Sequence, residues 1–379
     1  MRLRIAVNTR LLLAGRLEGI GWFTYETLRR IVVAHPEVDF YFFFDRKPDP
    51  QFLFGPNVRP VVLVPQARHP LLFIVWFEWS VRKALKKIRP HLFLSPDGYL
   101  CLGTNVPSLA VMHDLNFEHY PKDLPFLVRH YYRWFFPRFA NKAARIATVS
   151  DFSRQDICRL YNQPGQKVDV VYNGVNEHFG PLTPSEVKAV RERYTGGAPY
   201  FLFVGSLHPR KNLSRLFRAF DEFKASDNKG LKLLVAGERK WWTNDIEQAY
   251  SAMTFKKDVV FCGRLNSDEL HRITASAFVY TYVSYFEGFG IPIIEAFKCG
   301  VPLITSNVTS MPEVAGDAAL LINPFDVHDI AQAMQRLAED ENLRNELINK
   351  GIERSKLFTW DAAALRLWQS IEKTLSTES

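Results

Sequence analysis

The chain has 379 residues, 47% of them hydrophobic and 14% aromatic, and a formal charge of +8. That length predicts about two domains with sizeable cores, and the charge suits an anionic partner: a sugar nucleotide, an anionic lipid surface or nucleic acid. Cys101, Cys158, Cys262 and Cys299 are scattered without a CxxC or Cys/His cluster, which excludes a disulfide scaffold and a zinc module and reads as buried thiols in a reducing compartment.

No apolar run approaches the roughly 18 residues that a bilayer span requires. Met1 to Asn8 has no signal-peptide core and reads as a first strand, so a cytoplasmic setting is expected. The loop Gly15 to Gly21 follows, then a helix from Trp22 to His35 and a strand from Asp39 to Phe44. Gly19 and Gly21 suit close backbone approach to a phosphate, although a plain flexible turn reads equally well. Strands at Val61–Val64 and His91–Ser95 flank a basic helix, Trp76 to Ile88. Asp97 ends the second of these, where contact with an acceptor and turn formation are both open. The strand Leu109–Met112 runs into His113 and Asp114. A lone histidine is usually structural, but the carboxyl end of a strand favours a site. Asp114 reads as a cap or a supporting partner.

Leu71 to Lys87 and Phe126 to Arg138 are rich in basic and aromatic residues. Two readings compete for them: amphipathic helices packed on the sheet, or contact with a lipid-linked acceptor or an anionic membrane. The first is slightly favoured. Nucleic acid is not the expected partner, because the basic residues form no continuous run. Strands at Ile146–Val149 and Val168–Val171 complete an alternation that argues for a parallel, helix-covered sheet, with Ser150 or Asp151 capping the helix between them. The turn-rich stretch Asn173 to Pro199 places the domain boundary, giving residues 1–180 and 198–358 as the two domains.

The second alternation opens with the strand Tyr200–Val204, which leads into Arg210, Lys211 and Asn212. Asn212 reads as the cap of a helix Leu213–Phe223, placing two cations at a strand end. Arginine's planar fork and lysine's mobile charge together suit a diphosphate; a solvated basic turn is the bland alternative. Strands at Leu231–Ala236 and Val259–Phe261 follow. The stretch Ala277 to Phe297 then reads as strand, glycine loop and helix, with Pro292 at the helix start. Unpaired N–H groups at that helix start would attract phosphate, and Glu287 and Glu295 border it. Two carboxylates beside a phosphate-binding helix end suit sugar hydroxyls on either side of a diphosphate.

Val204-Gly205-Ser206-Leu207-His208-Pro209-Arg210-Lys211-Asn212-Leu213 resembles the VG.L.PRKNL segment of family 4 retaining glycosyltransferases. Glu287 to Glu295 resembles their E-x7-E signature, and Val171–Val175, Ala147–Ser153, Met311–Ala319 and Phe358–Trp360 continue the likeness in family order. The resemblance implies an α/β GT-B fold: two Rossmann-like, doubly wound domains facing a central cleft, with a last helix, about 360–379, returning to the first. It implies retaining, metal-independent transfer of a hexose from a nucleoside diphosphate sugar, with no further cofactor. GDP-mannose is favoured as donor over UDP-glucose, and a saccharide or lipid-linked saccharide in polysaccharide biosynthesis is the acceptor. The enzyme would be cytoplasmic, with peripheral contact at the cytoplasmic face of the inner membrane left open.

By position, Arg210 and Lys211 would hold the diphosphate and Glu295 the ribose. Glu287, with Gly288 and the backbone of Phe289 and Gly290, would face the donor sugar. Arg264 and Leu265 would border the base, His113 would orient the donor, and Gly19, Gly21, Gly205 and Ser206 would complete the donor site. Ser206 stands where many relatives carry a basic residue, so Arg210 and Lys211 must neutralise more of the charge. A GT-B sugar-nucleotide epimerase and an inactive sugar-nucleotide- or glycan-binding relative are the alternatives.

Overall fold

The structure, a computed structural model, describes residues 2–227, 229–238 and 242–376. It comprises two compact units. The first runs to Gly174 and includes the helix Trp360–Ser376; the second is Val175–Thr359. The last three residues of the expected C-terminal helix lie outside the described residues.

Unit 1 is a seven-stranded sheet of β1 (Arg4–Asn8), β2 (Asp39–Phe44), β3 (Val58–Val62), β4 (Leu92–Ser95), β5 (Ser108–Val111), β6 (Arg145–Thr148) and β7 (Val168–Val170). Their order is β3-β2-β1-β4-β5-β6-β7 and every pairing is parallel. β4 and β5 are buried along their whole length, as strands covered on both faces must be. Pro60 falls in edge strand β3, where a missing N–H is tolerated.

Unit 2 is a six-stranded parallel sheet of β8 (Tyr200–Val204), β9 (Lys232–Ala236), β10 (Val259–Gly263), β11 (Val279–Tyr282), β12 (Leu303–Ser306) and β13 (Leu320–Ile322). The order is β10-β9-β8-β11-β12-β13. Phe201, Phe203, Leu233, Val279 and Ile304 anchor its core against Leu216, Phe217 and Phe220 of the helix Leu213–Lys224. Both sheets are doubly wound: the order reverses beside β1 and β4 in unit 1, and beside β8 and β11 in unit 2. Such switch points leave a crevice outside the strands' carboxyl ends.

Several local expectations need correction. Within the stretch read as turn-rich lies a helix, Pro184–Thr195, nucleated by a capping box in which Thr183 and Glu186 each satisfy the other's backbone N–H. The first helix is Gly19–Ala34, so Gly19 and Gly21 belong to its first turn and not to a loop before it. The basic helical segment begins at Pro70, earlier than Trp76, and passes through a π-helical turn over Trp76–Val81. Cys101 and Cys299 are buried, but Cys158 and Cys262 are only half-buried.

Candidate active site

In unit 2 the chain leaves β8 through Gly205 and turns over Pro209–Lys211. His208 Nδ1 accepts from the Arg210 N–H at 3.3 Å. Asn212 is not the side-chain cap its identity suggests. It is left-handed (φ 64°), and its amide donates to the carbonyls of Val283 (3.0 Å) and Pro324 (2.6 Å). It thus ties the end of β8 to the end of β11, and the Tyr285 N–H does the same by donating to the Arg210 carbonyl at 3.0 Å.

These ties bring Arg210, Lys211 and Glu287 into one cluster. Glu287 is buried; its Oε1 lies 2.6 Å from Lys211 Nζ and its Oε2 2.6 Å from Arg210 Nη1. Lys211 also donates to the Tyr282 hydroxyl at 3.1 Å, and its stem passes 3.5 Å from the space a side chain at Gly205 would take. Burial alone would raise the Glu287 carboxyl, but Arg210 and Lys211 outweigh it and hold it at about 2. Two cations share one carboxylate, so the cluster carries one net positive charge at the sheet's switch point.

Gly288, Phe289 and Gly290 are buried and lead into the helix Ile291–Lys298. Gly290 has φ 103°, and a Cβ there would meet Ile293 Cδ1 at 3.0 Å, so glycine is required. Ser310, fully buried, donates to the carbonyls of Glu287 (2.9 Å) and Phe289 (3.0 Å). It pins the loop between the two glutamates. Ser310→Ala is expected to cost about 1–2 kcal/mol of stability and to weaken nucleotide binding severalfold, as thermal unfolding with and without nucleotide would show.

Glu295 is half-buried on that helix, and burial raises its carboxyl from 4.5 to about 7. Nearby, the Tyr280 hydroxyl is buried without a hydrogen-bond partner among the described residues, and burial followed by the Glu295 charge raises its pKa well above normal. A poorly solvated carboxyl and an orphaned hydroxyl together fit a ligand bearing hydroxyl groups. Ser206 is exposed. Arg264, exposed just past β10, reaches Glu238 at 3.7 Å, and Leu265 beside it is half-buried. Neither joins the contacts of the Glu287 cluster.

In unit 1, His113 follows β5. Its Nε2 lies 2.8 Å from the Pro96 carbonyl, and the Phe23 ring meets it edge-on at 5.0 Å. A carbonyl can only accept, so Nε2 carries the proton and Nδ1 the lone pair. Burial, opposed by the Pro96 bond, lowers the imidazole pKa and favours this neutral form. Asp114 accepts from the Asn116 N–H at 2.9 Å, a local turn.

Asp97 takes the turn-forming role, its Oδ1 accepting from the Tyr99 N–H two residues on (3.3 Å); it also forms a buried ion pair with Arg10 (2.7 Å) and accepts from Asn8 (2.7 Å) and Ser95 (3.0 Å). Arg10 and Asp97 stand past β1 and β4, the switch point of this sheet. Each unit therefore carries an ion cluster where its strand order reverses, buried in unit 1 and, in unit 2, buried except for the half-buried Arg210. Sequence reasoning passed over Arg10, Tyr282 and Ser310. Only Arg10 left a signal, a lone cation before Leu11-Leu12-Leu13. Among the described residues no group of three or more His, Cys, Asp or Glu is disposed to hold a metal ion.

Two Rossmann-like units, each a doubly wound parallel sheet, place the chain in the GT-B class of fold. A sucrose-phosphate synthase from Thermosynechococcus elongatus superposes with a TM-score of 0.81 over 100% of both chains at 22% identity, a likeness of fold. Residues 187–354 match the family described as "Glycosyl transferases group 1", and residues 17–179 that described as "Glycosyltransferase Family 4". The chain belongs to the family 4 glycosyltransferases. It is 29% identical to O-antigen chain mannosyltransferase B of Escherichia coli, over 91% of this chain and 93% of that protein. It is 26% identical to O-antigen chain mannosyltransferase RfbU of Salmonella typhimurium, over 75% of each.

Proposed function

We propose that this glycosyltransferase moves a mannosyl group from GDP-mannose to a saccharide or lipid-linked saccharide acceptor during polysaccharide assembly. Retention of anomeric configuration and independence from metal are part of the proposal. The observation that carries it is the Arg210–Lys211–Glu287 cluster, with Lys211 and Glu287 buried, Arg210 half-buried and one net positive charge at a switch point beside a glycine-opened helix. Mannose is supported by the names of the two relatives. Free thiols at Cys101, Cys158, Cys262 and Cys299 suit a cytoplasmic setting.

In this reading the bond from the anomeric carbon to the diphosphate oxygen breaks while the acceptor oxygen bonds to the same face of the sugar. The departing diphosphate takes the acceptor's proton, and Arg210 and Lys211 offset its growing negative charge. Glu287 keeps both cations aimed before substrate arrives, which avoids reorganisation during the reaction. Glu295 accepts from the ribose hydroxyls, and the lone pair on His113 Nδ1 is available to a sugar hydroxyl. The same cations supply the charge a metal would otherwise bring.

Calorimetric titration with GDP, UDP and ADP, each free and as its sugar conjugate, tests the donor. GDP and GDP-mannose are expected to bind in the micromolar range with EDTA present, and the product's anomeric proton coupling reports retention. Preference for UDP would move the donor to UDP-glucose. Binding of none of the nucleotides would defeat the enzyme reading.

A further inference from the structure

The positive charge of this chain is concentrated in two places. The helical segment Pro70–Ile88 and the helix Phe126–Lys142 together hold eight basic residues and one acidic one, a net of seven against the chain's formal +8. The one acid, Glu78, is engaged in structure, accepting from the N–H groups of Leu102 (2.6 Å) and Gly103 (2.9 Å).

The same two segments expose apolar side chains. Leu71 is 67% exposed, Trp79 77%, Phe126 64%, Leu127 60% and Trp134 61%. With Leu72 and Val75 they make up seven of the seventeen exposed large apolar side chains among the described residues, on about a tenth of the chain. Both segments have already met their packing needs with other residues: Trp76, Phe77, Tyr131 and Phe136 are buried, and Phe73 meets Tyr131 at 5.6 Å between ring centres, so the segments adjoin. The outward apolar residues are therefore left over after the core is built. Arg138 lies over the Trp134 ring (3.8 Å) and Arg129 over Phe126 (5.5 Å), an alternation of ring and cation on one helix.

We propose that this surface of unit 1 seats the protein on an anionic lipid bilayer, the exposed rings and aliphatic residues entering the interface and the lysines and arginines meeting headgroup phosphates. A polyanion without an apolar phase would leave Leu71, Trp79, Phe126 and Leu127 in water. A neutral apolar partner would leave most of that charge unmatched: among the described residues Arg133 alone of the eight cations pairs with an acid outside the two segments, Glu118 at 3.4 Å. The bilayer interface satisfies both at once. The protein lies on the membrane without spanning it, since among the described residues no helix is long and apolar enough to cross.

The inner side of the same segment ties this surface to the first unit's switch point. Phe73 and Phe77 stand 4.9 and 5.8 Å from the Arg10 guanidinium, with Tyr99 on it at 4.3 Å, and Arg10 holds Asp97. Membrane seating thus favours an acceptor carried on a lipid over a free oligosaccharide; that last step rests on the glycosyltransferase reading, whereas the membrane surface does not.

Flotation of the full chain with vesicles of phosphatidylglycerol and phosphatidylethanolamine, against vesicles of phosphatidylcholine, tests the seat. Binding is expected to the anionic vesicles alone and to weaken about tenfold in Lys86→Glu/Lys87→Glu, and by a similar factor in Trp79→Ser/Phe126→Ser. These residues lie at the surface, and nucleotide titration without vesicles should be unchanged in both variants, which separates failure of the seat from failure of the donor site. Equal binding to both vesicle types would overturn the proposal. So would anionic binding that survives Trp79→Ser/Phe126→Ser while charge reversal abolishes it, since that marks a polyanion site.

Discussion

Lys211→Met is expected to lower kcat by a factor on the order of 10²–10³ while the protein remains folded, the scale seen when one preorganised donor to a developing charge is removed. Methionine keeps most of the stem that packs over Gly205 and deletes only the charged Nζ that bonds Glu287 and the Tyr282 hydroxyl. Breaking a buried pair by deleting one partner costs about 3–5 kcal/mol when nothing replaces it. Here Arg210 still holds Oε2 of Glu287 at 2.6 Å, so a smaller loss of about 1–3 kcal/mol is expected. Turnover close to that of the unaltered enzyme would remove Lys211 from the site.

The pH dependence of that loss identifies its source. Glu287 has a folded pKa of about 2, below its ordinary 4.5. A depressed carboxyl contributes stability that is present above the unfolded value and lost as pH falls through the folded one. The gap between wild type and Lys211→Met should therefore be widest above pH 4.5 and close as the pH drops towards 2. Urea unfolding at pH 7, 5 and 3.5 would measure it. A gap that stays constant across that range would mean that the variant acts through packing and not through the Glu287 charge.

The alternation of apolar runs with glycine and proline turns made the two sheets legible, because a parallel strand buried on both faces leaves a run of apolar residues. The apolar run Tyr200–Val204 coincides with β8 to the residue for that reason. Contacts were less visible than elements. Lys211 and Glu287 are 76 positions apart, and Arg10 and Asp97 are 87. Each pair meets only because its two strands are neighbours at a reversal of sheet order. A rule about strand ends can point to those places, but it cannot supply the partner. Asn212 misled because its side chain suits a helix cap, and the structure spends that amide on two carbonyls across the sheet. The helix Pro184–Thr195 was hidden by the proline and glycines that bound it, although Thr183 and Glu186 spell a capping box. Exposure of Trp79 and Phe126 could not be read at all, since aromatic residues at helical spacing suit a core equally well.

Glu295→Gln should separate stability from function. Burial lifts the Glu295 carboxyl to about 7, above its ordinary 4.5, so the fold disfavours its ionised form. A raised group contributes stability that is complete below 4.5 and lost as pH rises through 7. The residue is only half-buried, so solvent screening reduces the expected loss to about 1–2 kcal/mol. The glutamine variant should lack that slope and, without ligand at pH 8, be more stable than wild type by a similar amount. Its affinity for the donor nucleotide should nevertheless fall about 10–100-fold, since a hydrogen bond to a charged acceptor is worth about 1.5–3 kcal/mol. If ribose hydroxyls donate to this carboxylate, binding favours the ionised form, and wild-type affinity should rise between pH 6 and 8 as the proton is released. Calorimetry in two buffers of different ionisation enthalpy would count that proton directly. A variant that binds nucleotide as wild type does, with an affinity flat in pH, would take Glu295 out of the donor site and leave its raised pKa as a consequence of burial alone.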